Sequence, residues 1–537
     1  MSQNITLLGA SYQDVPSVQL PKTGGGTAQF DDTTDATATA ADIAQGKTAY
    51  VNGVKVTGIG SGGSSKPNED DDVIFIDYDG TLLYSYSASD FANLTELPAN
   101  PSHTGLTAQG WNWTLADAKA QVNSVGYAVI GQSYVTDDGK TRLYITIDDN
   151  QAELAPTMSV RFGMTSGSSV TLDWGDGTVE TKTATAATVY THDYSAAGNY
   201  VITLNATTGK ITFGTSGTNT IVGNTSGPRV TKLRKVEIGA NLNTTNLGAF
   251  ARGCSCLETI TIPRGITSMG EYAFNGCYLL KGLVVPGTVS GGGGRDLASD
   301  CYCLTALSLP KGITSANNNY VARCYRLKFF AIPSGLHNPN SYSFTYCSSL
   351  KRAPIPVTGT IGANAFSYCN FIIDDLETPA AITSVGGEAF RQNRGIKNVT
   401  VSCSLGSGAF RDNVGMQKFT MLAGTTLGSY ALTGCTNLAE ISFPDTLTTL
   451  DSRACTSLTA LLKLVIPASV TTIGSNAFEN CSNVAEYHFL STTPPTLGTN
   501  VFASNSSTMK IYVPADSLAD YQAATNWTTW SSYMVGE

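Results

Sequence analysis

Charged residues and histidine are scarce in this sequence. Asp, Glu, Lys and Arg make up 14% of the 537 residues, there are four His, and the formal net charge is −9. Nucleic-acid affinity depends on Lys and Arg that neutralise phosphates, and no basic run occurs, so we expect no nucleic-acid partner. Low charge together with 54 Gly predicts a mainly β, turn-rich protein, and the length predicts several domains.

Long apolar runs and enzyme motifs are missing as well. No stretch of about 20 apolar residues occurs, so we expect no membrane insertion. The opening MSQNITLLGASYQDV does not place a positive stretch before an apolar block, so no signal peptide is expected. There is no Ser/His/Asp arrangement with recognisable spacing, and the GGGG run at Gly291–Gly294 does not precede a helix. We therefore expect no enzymatic activity, cofactor or metal.

A short pattern is repeated from about Val230 to Val513. Clear copies are AFNGCYLLKGLVVP, SFTYCSSLKRAPIP and ALTGCTNLAEISFP. Each has an apolar residue, an anchor Cys three places later, a Leu three further on, and a short apolar alternation closed by Pro. Eleven anchors can be assigned, and they are Cys254, Cys277, Cys301, Cys324, Cys347, Cys369, Asn393, Asn413, Cys435, Cys455 and Cys481.

The spacing of these copies predicts a solenoid. Subtracting consecutive positions from Cys277 to Cys369 gives steps of 24, 23, 23 and 22, and a fixed period of this length is typical of stacked coils. One copy, such as LETITIP at Leu257–Pro263, is a strand too short to bury its apolar face alone. Stacking supplies the partner, and Pro ends each strand because it cannot donate to a sheet.

The repeat frame resembles the BspA-like leucine-rich repeat family. The frame AFxxC-x-x-L-x-x-[IL]-x-[IL]-P is followed by ITSMG or LTTLD, and the tail at Pro494–Trp527 also resembles the usual ending of such arrays. The resemblance implies a solenoid over residues 232–513, a C-terminal cap over 514–537 containing Trp527 and Trp530, and a cell-surface or host-attachment protein that acts by binding.

The anchor cysteines allow three interpretations: small buried thiols, disulfides, or a metal site. Cys256 and Cys303 lie two residues after an anchor and form C-x-C pairs that invite a metal interpretation. Because Asn393 and Asn413 stand at the same position as the anchor cysteines, neither a bridge nor a metal site would be maintained in every copy. We favour buried thiols that fill a tight corner of each coil.

Residues 1–60 resemble the N-terminal segments of tail and fibre proteins of tailed bacteriophages. The words ITLLGASYQDVPSVQLPKTGGG and ATAADIAQGKTAYVNGVKVTG carry the resemblance, and the second predicts a hairpin about an Asn-Gly turn. It implies a virion-attachment segment, followed by a linker over 61–72. The alternative is a flexible arm with an incidental hairpin. The candidate docking residues are Ile43, Tyr50, Val51, Asn52, Gly53 and Val56.

Residues 73–150 form a predicted small α+β domain. VIFIDYDGTLL resembles the first motif of haloacid-dehalogenase-like phosphatases, in which Asp77 would be the nucleophile and Asp79 the acid. An Asp-Gly turn between two strands explains the same residues without chemistry, and we favour it. A helix is expected at Leu115–Val122, with strands at Tyr127–Gln132 and Arg142–Ile147. Trp111 and Trp113 would be core residues or a carbohydrate-stacking pair.

Residues 151–206 resemble a PKD-type, immunoglobulin-like β-sandwich, on the basis of WGDGT, His192-x-Tyr194 and GNYVITL. The resemblance implies a spacer. Asp173 and Asp176 could hold Ca²⁺ but suit turns better, and His192 is expected to be packed and hydrogen-bonded. Residues 207–231 would connect the sandwich to the solenoid.

Tyrosine recurs beside the anchors in neighbouring copies. Because equivalent positions of stacked copies align, the pattern predicts a strip along one edge of the solenoid, with a composition typical of binding surfaces. The alternative is that Tyr only covers the corner of each coil. The candidate receptor-binding residues are Tyr278, Tyr302, Tyr320, Tyr325, Arg323, Arg326, Tyr346 and Tyr368.

These patterns together favour an adhesion or fibre protein of a phage tail. It would be made in the host cytoplasm, dock to tail or baseplate proteins through its N-terminus, and bind a host surface glycan or protein through the solenoid. Assembly into a homo-oligomer is left open. The alternative is a bacterial cell-surface BspA-like adhesin, and a remote one is a phosphatase that uses Asp77 and Asp79.

Overall fold

The computed structural model describes residues 67–148, 156–213, 220–222, 231–350, 352–370, 372 and 375–537, with the backbone of six strands within residues 3–57. The chain divides into two compact units, which are Met1–Ile74 with Leu82–Ala99, and Phe75–Thr81 with Asn100–Glu537. Strand β7 (Val73–Ile76) contributes to both units, and all four of its residues are buried.

The first unit contains three antiparallel hairpins, β1–β2, β3–β4 and β5–β6. In the third, Val51 pairs with Val54. Helix α1 begins after Ser87, whose hydroxyl accepts a hydrogen bond from Asp90 N. The elements are β1 (Gln3–Leu7), β2 (Ala10–Val15), β3 (Ser17–Pro21), β4 (Thr27–Asp31), β5 (Thr48–Val51), β6 (Val54–Thr57), β8 (Leu82–Tyr86) and α1 (Ala88–Ala92).

The docking residues predicted in this unit are only partly described. Ile43, Asn52 and Gly53 lie outside the described residues, and only the backbone is described for Tyr50, Val51 and Val56. Their proposed role stays a prediction.

The second unit begins with a small layer made of β9 (Leu106–Trp111), α2 (Leu115–Val125) and β10 (Ala128–Thr136). Strands β9 and β10 are antiparallel. The helix starts at Thr114, which caps it by accepting from Asp117 N, and ends at Gly126, which adopts a left-handed φ of 77°. It is therefore a turn longer than the sequence predicts. We call residues 106–136 the covering layer.

A β-sandwich follows. One sheet has the order β14-β13-β16-β11-β18-β19 and the other the order β15-β12-β17. Its strands are β11 (Thr141–Ile147), β12 (Thr157–Met164), β13 (Ser169–Asp173), β14 (Val179–Lys182), β15 (Thr188–Asp193), β16 (Gly198–Thr208) and β17 (Ile211–Thr212).

The first sheet corrects the predicted domain boundaries. Strand β11, which the sequence places in the small domain ending at residue 150, pairs along its length with β16 of the sandwich. Its other edge pairs with β18 (Leu233–Glu237), and β18 in turn pairs with β19 (Thr259–Thr261) of the first repeat. The sandwich and the repeat array therefore share one sheet.

The residues that resemble a PKD module form a turn held by side chains. Asp173 and Asp176 accept hydrogen bonds from the N–H groups of Gly175 and Thr178, as turn-forming carboxylates do. His192 stacks on Trp174 at 5.0 Å between ring centroids and bonds through Nε2 to Asp176 Oδ2 at 2.7 Å.

This contact makes sandwich stability depend on pH. The hydrogen bond from His192 lowers the pKa of Asp176 from 3.8 to about 2. A lowered folded-state pKa adds stability that is complete above the unfolded value and is lost as pH falls toward the folded value. We expect the near-ultraviolet circular dichroism signal of the wild type, to which Trp174 contributes, to weaken as pH falls from 3.8 toward 2, because the stability that the ionised Asp176 adds is lost over this range. In Asp176→Asn the pH dependence between these values should be shallower, and equal slopes would contradict the assignment.

The repeat array is a solenoid in the leucine-rich repeat fold. Its main sheet consists of short parallel strands, one from most coils: β20 (Gly282–Val284), β22 (Ala306–Ser308), β24 (Phe329–Phe330), β27 (Leu376–Glu377), β29 (Asn398–Val401), β30 (Lys418–Met421), β32 (Glu440–Ser442), β34 (Lys463–Ile466), β36 (Glu486–Phe489) and β38 (Lys510–Val513). Shorter strands form a second row: β21 (Gly291–Gly293), β23 (Ile313–Ala316), β25 (Asn338–Pro339), β26 (Gly359–Ile361), β28 (Ile382–Val385), β31 (Thr426–Leu427), β33 (Thr449–Leu450), β35 (Thr472–Ile473) and β37 (Thr496–Leu497).

The C-terminal end of the main sheet is closed by a small cap. It contains α3 (Leu518–Ala523), two 3-10 helices at Ala515–Ser517 and Thr528–Tyr533, and β39 (Met534–Gly536), which pairs with β38. Trp527 is fully buried, and its Nε1 donates to Pro495 O at 2.8 Å.

The anchor side chains join each coil to the preceding one. In seven coils the Cys thiol donates to a carbonyl of the previous coil at 3.1–3.3 Å. Asn393 and Asn413 make the equivalent bond through Nδ2, to Phe366 O and Phe390 O, both at 2.9 Å. Cys and Asn interchange because each is small and can donate a hydrogen bond to this carbonyl.

One anchor assignment is wrong, and one coil was not counted. The residue before each anchor has a positive φ, and in the tenth coil that residue is Ser457 with a φ of 63°. The anchor is therefore Leu458, while Cys455 fills the slot that Phe478 fills in the next coil. A twelfth coil also exists, since Ser504 has a φ of 60° and is followed by Asn505 and then by β38.

Where a repeat ends in proline, one backbone carbonyl of the preceding coil receives no hydrogen bond from the backbone at that position. Where Leu422 and Leu490 replace this Pro, their N–H groups donate to Val401 O and Ile466 O in the preceding coil, at 2.7 and 3.1 Å. Proline has no N–H, so it cannot do this.

The covering layer supplies the missing donors over the early coils. Three carbonyls lie opposite a Pro in the following coil, which is Pro310, Pro333 or Pro356. Each accepts a hydrogen bond from the covering layer at 2.8–2.9 Å. The bonds are Asn112 Nδ2 to Val285 O, Trp113 Nε1 to Leu309 O, and Gln121 Nε2 to Ile332 O. Trp111 and Trp113 are accordingly 5% and 6% exposed. They are core residues and not a carbohydrate-stacking pair.

A candidate binding surface on the repeat array

Five of the predicted tyrosines form a continuous row, which we call the tyrosine ladder: Tyr278, Tyr302, Tyr325, Tyr346 and Tyr368. Successive ring centroids lie 4.6, 5.5, 6.5 and 4.4 Å apart. The first and last pairs are nearly parallel, at interplanar angles of 7° and 12°. The spacing of the coils, about 4.8 Å in a parallel sheet, therefore allows one ring per coil to stack on the next.

The ladder changes position within the repeat half-way along its length. Tyr278, Tyr302 and Tyr325 follow their anchors, whereas Tyr346 and Tyr368 precede theirs and adopt φ values of 61° and 63°. The change explains the widest and most tilted step, 6.5 Å and 69° between Tyr325 and Tyr346. Because the residue before the anchor is left-handed in every coil, the second group points its rings along the same edge as the first.

Stacking leaves the rims of the rings exposed. Tyr302, Tyr325 and Tyr346 are 37%, 41% and 39% exposed, although each has a neighbouring ring on both sides. Partial burial is the main cause that raises the pKa of Tyr302 and of Tyr346. These phenols therefore remain neutral hydrogen-bond donors and acceptors at physiological pH.

The predicted arginines have different surroundings. Arg323 forms two hydrogen bonds to Asp300, at 2.5 and 2.8 Å, and this pairing raises the pKa of Arg323. Arg326 lies beside Tyr325 in the sequence and is exposed. At the far end of the ladder the Arg391 guanidinium lies 5.6 Å from the Tyr368 ring centroid, a cation–π distance.

Tyr320 does not belong to this surface, and its assignment as a receptor-binding residue was wrong. It is fully buried, its burial raises the pKa of the hydroxyl, and that hydroxyl has no hydrogen-bond partner within the described part of the chain. A Cβ at Gly293 would overlap the Tyr320 ring. The GGGG run thus makes room for this side chain.

Further exposed tyrosines, outside the predicted receptor-binding set and outside the tyrosine ladder, lie at the position five residues before the anchor. Tyr342 and Tyr430 are 46% and 38% exposed, and the Arg411 guanidinium lies 5.6 Å from the Tyr430 ring. The signal that could have found them is the alignment of coils by the anchor, which places both at one position. Both adopt φ values near 60°.

The phosphatase-like motif is a tight turn. Asp77 N donates to Thr81 O and Gly80 N donates to Asp77 O, at 2.9 and 3.0 Å, and Gly80 has a φ of 87°. The Asp77 carboxylate accepts from Tyr78 N and bonds to His103 Nε2 at 2.7 Å. Asp79 Oδ1 accepts from Thr81 N. Both carboxylates thus hold the turn together.

Within the described residues, no group of three or more His, Cys, Asp or Glu side chains could hold a metal ion. All twelve cysteines are free, and burial raises the pKa of the anchor thiols such as Cys435, to about 12. A search of the same residues found no helix that is both long and apolar enough to cross a membrane.

The repeat array matches a family model described as BspA type leucine rich repeat region (6 copies). The matches cover residues 209–299, 294–397, 359–485 and 403–523, which together exceed half of the chain. This protein belongs to the BspA-type leucine-rich repeat family. No curated protein matches the BspA-type chain.

Several solved structures are similar to this BspA-type chain. A leucine-rich repeat protein from Bacteroides ovatus ATCC 8483 is 21% identical, covers 57% of this chain and 84% of its own, and has a TM-score of 0.47. A leucine-rich cell surface protein from Faecalibacterium prausnitzii A2-165 is 17% identical, with coverage of 60% and 96% and a TM-score of 0.31. The pneumococcal vaccine antigen PcpA is 17% identical, with coverage of 60% and 93% and a TM-score of 0.33.

Proposed function

We propose that this BspA-type protein is an adhesin that binds a glycan or protein on a cell surface through the tyrosine ladder. The observation that carries the proposal is the continuous stack of five rings, three of them more than one-third exposed. Stacked rings are already ordered before a partner arrives, so binding costs little side-chain entropy.

The charged outer face of the main sheet supports the choice of the tyrosine ladder as the binding surface. Its outward side chains in the later coils alternate in charge, and they pair with one another: Lys418 with Glu440 at 3.1 Å, and Lys463 with Glu486 at 3.4 Å. Lys and Glu are depleted in the centres of protein interfaces, whereas Tyr and Arg are enriched. The composition therefore favours the ladder as the partner-binding face and the later main sheet as a solvated one.

The geometry of the ladder also constrains how a partner approaches. The nearly parallel pairs Tyr278–Tyr302 and Tyr346–Tyr368 have centroids within 4.6 Å, so nothing fits between their faces. A partner would meet ring edges, hydroxyl groups and the exposed Arg326. Edge contacts combined with hydrogen bonds suit hydroxyl-rich or carbonyl-rich surfaces.

Adsorption of the purified protein to target cells tests the proposal. We expect the triple change Tyr302→Ala, Tyr325→Ala and Arg326→Ala to weaken adsorption by about 30-fold or more, the effect of losing an interface hot spot. Tyr430→Ala is the matched control, because it removes a tyrosine of similar exposure outside the ladder. Unchanged adsorption by the triple variant, with an unchanged melting temperature, would remove the ladder from the account.

A phage-tail role is the second candidate, and one observation favours it. The N-terminal sequence segments that resemble virion-attachment segments include the paired strands β5 and β6. In this version the N-terminus docks to tail or baseplate proteins, the protein resides on the virion, and several copies could assemble there. Immunodetection on purified virions tests it, and a signal confined to bacterial surfaces would favour the cellular adhesin instead.

A further inference from the structure

A cavity of about 230 Å³ opens at one interruption of the main sheet, between β24 and β27. Within the described part of these coils, strand β24 has no strand partner in the next coil, and parallel pairing resumes at β27. The intervening coil reads Ala353-Pro354-Ile355 at this point. Pro354 cannot donate to a neighbouring strand, and Ile355 N instead donates to Ala353 O at 2.9 Å. The local loop leaves a gap between β24 and β27, and a second break in the strand pairing lies between β32 and β34.

The covering layer makes this gap a pocket. Its helix α2 ends here, and Tyr127 from the following turn forms one wall. The floor is apolar and contains Phe330, Ile332 and Leu376, which are 2%, 0% and 3% exposed. A dry cavity of about 150 Å³ holds a benzene ring. The volume therefore accommodates one ring or branched chain with a few additional atoms.

Charges of both signs surround the opening. The Arg352 guanidinium lies 5.0 Å from the Tyr127 ring centroid, which holds its planar group against the wall. Asp375 and Glu377 lie on the opposite coil, and both are exposed while Leu376 between them is buried. Alternation along β27 thus sends the apolar side chain inward and the two carboxylates outward, as a strand requires.

We propose that this cavity binds a free α-amino acid with an aromatic or branched apolar side chain. The side chain enters the apolar floor, the ligand carboxylate pairs with Arg352, and the ligand ammonium pairs with Glu377, since Asp375 Oδ1 already accepts from Asn398 Nδ2 at 2.8 Å. A residue within or at one end of a peptide offers at most one of these charges. The presence of both signs at one small opening is what selects the free zwitterion. The site is separate from the tyrosine ladder and does not depend on the proposed adhesion function.

Isothermal titration of the full chain with L-phenylalanine and L-leucine tests the proposal. We expect saturable binding of at least one of them. N-acetyl-L-phenylalanine lacks the ammonium charge and L-phenylalaninamide lacks the carboxylate, so each should bind about tenfold more weakly or not at all. Binding of either blocked compound as tightly as the free amino acid would overturn the proposal, as would no detectable heat with either amino acid at millimolar concentration.

Two substitutions locate the site. Glu377→Gln and Arg352→Gln should each weaken L-phenylalanine binding by about tenfold, because each removes one charge-assisted contact. Glu440→Gln is the matched control, since it removes an exposed carboxylate of the same sheet away from the cavity. Circular dichroism melts of all three variants report whether the fold is kept. Full affinity in both cavity variants would overturn the assignment, whatever the amino acid bound.

Discussion

Asn413→Asp is expected to destabilise the repeat array by about 3–5 kcal/mol at neutral pH. Asn413 is fully buried, and its Nδ2 donates to Phe390 O and Phe410 O at 2.9 and 2.8 Å. An aspartate of the same shape would direct an ionised oxygen at one or both carbonyls, with no donor left to offer them. Equilibrium denaturation in urea at pH 7 measures the loss.

The penalty should shrink in acid. A buried carboxyl group without a partner has a raised folded-state pKa, so the destabilisation is absent well below the unfolded pKa and grows as pH rises toward the folded one. Urea denaturation at about pH 4 should therefore bring Asn413→Asp closer to wild type measured at the same pH. Asn413→Cys is the matched control, since Cys fills this position in eight coils. If the Asp and Cys variants were equally stable at pH 7, the donor role of the anchor would be refuted.

Phe390→Ala is expected to cost about 3–5 kcal/mol of unfolding free energy. The Phe390 ring lies between those of Phe366 and Phe410, with centroids 5.5 and 5.2 Å away and interplanar angles of 15° and 8°. Truncation removes both stacking contacts at once and leaves a cavity in the middle of the array. The neighbouring coils cannot close it, because their backbone spacing is fixed by the sheet.

Phe390→Leu separates volume from aromatic stacking. Leu432 occupies the equivalent position two coils later and is fully buried, so Leu fits the slot, and we expect a cost below about 1.5 kcal/mol. Tryptophan fluorescence and circular dichroism should be followed together in urea, since long arrays can unfold in segments. Equal stability of the Ala and Leu variants would mean that the core of the array tolerates a void there.

The array was predictable from sequence because the same contact recurs in each coil. Asn393 and Asn413 revealed the anchor as a shared position even without cysteine. Assigning anchors by residue type failed at Cys455, because this Cys occupies the position of the core Phe and Leu458 is the anchor. Only the backbone conformation, repeated before every anchor, distinguishes the two.

The candidate binding surface was predictable in part. One residue per coil at a fixed position is enough to infer a row, and five tyrosines do form one. Tyr320 was misassigned because it lies near the others in sequence, while its burial depends on Gly293 in the preceding coil. The cavity could not be predicted at all, since it needs both Pro354 and the end of helix α2, which are far apart in the chain.

Strand β11 has mechanical consequences for an adhesin. It is hydrogen-bonded to the sandwich through β16 on one edge and to the array through β18 on the other, so one strand joins these two parts directly. A pulling force on the coils would reach the sandwich as shear across several backbone hydrogen bonds at once. Such a connection transmits tension stiffly, so in the adhesin proposed above a load on the coils would be shared with the sandwich.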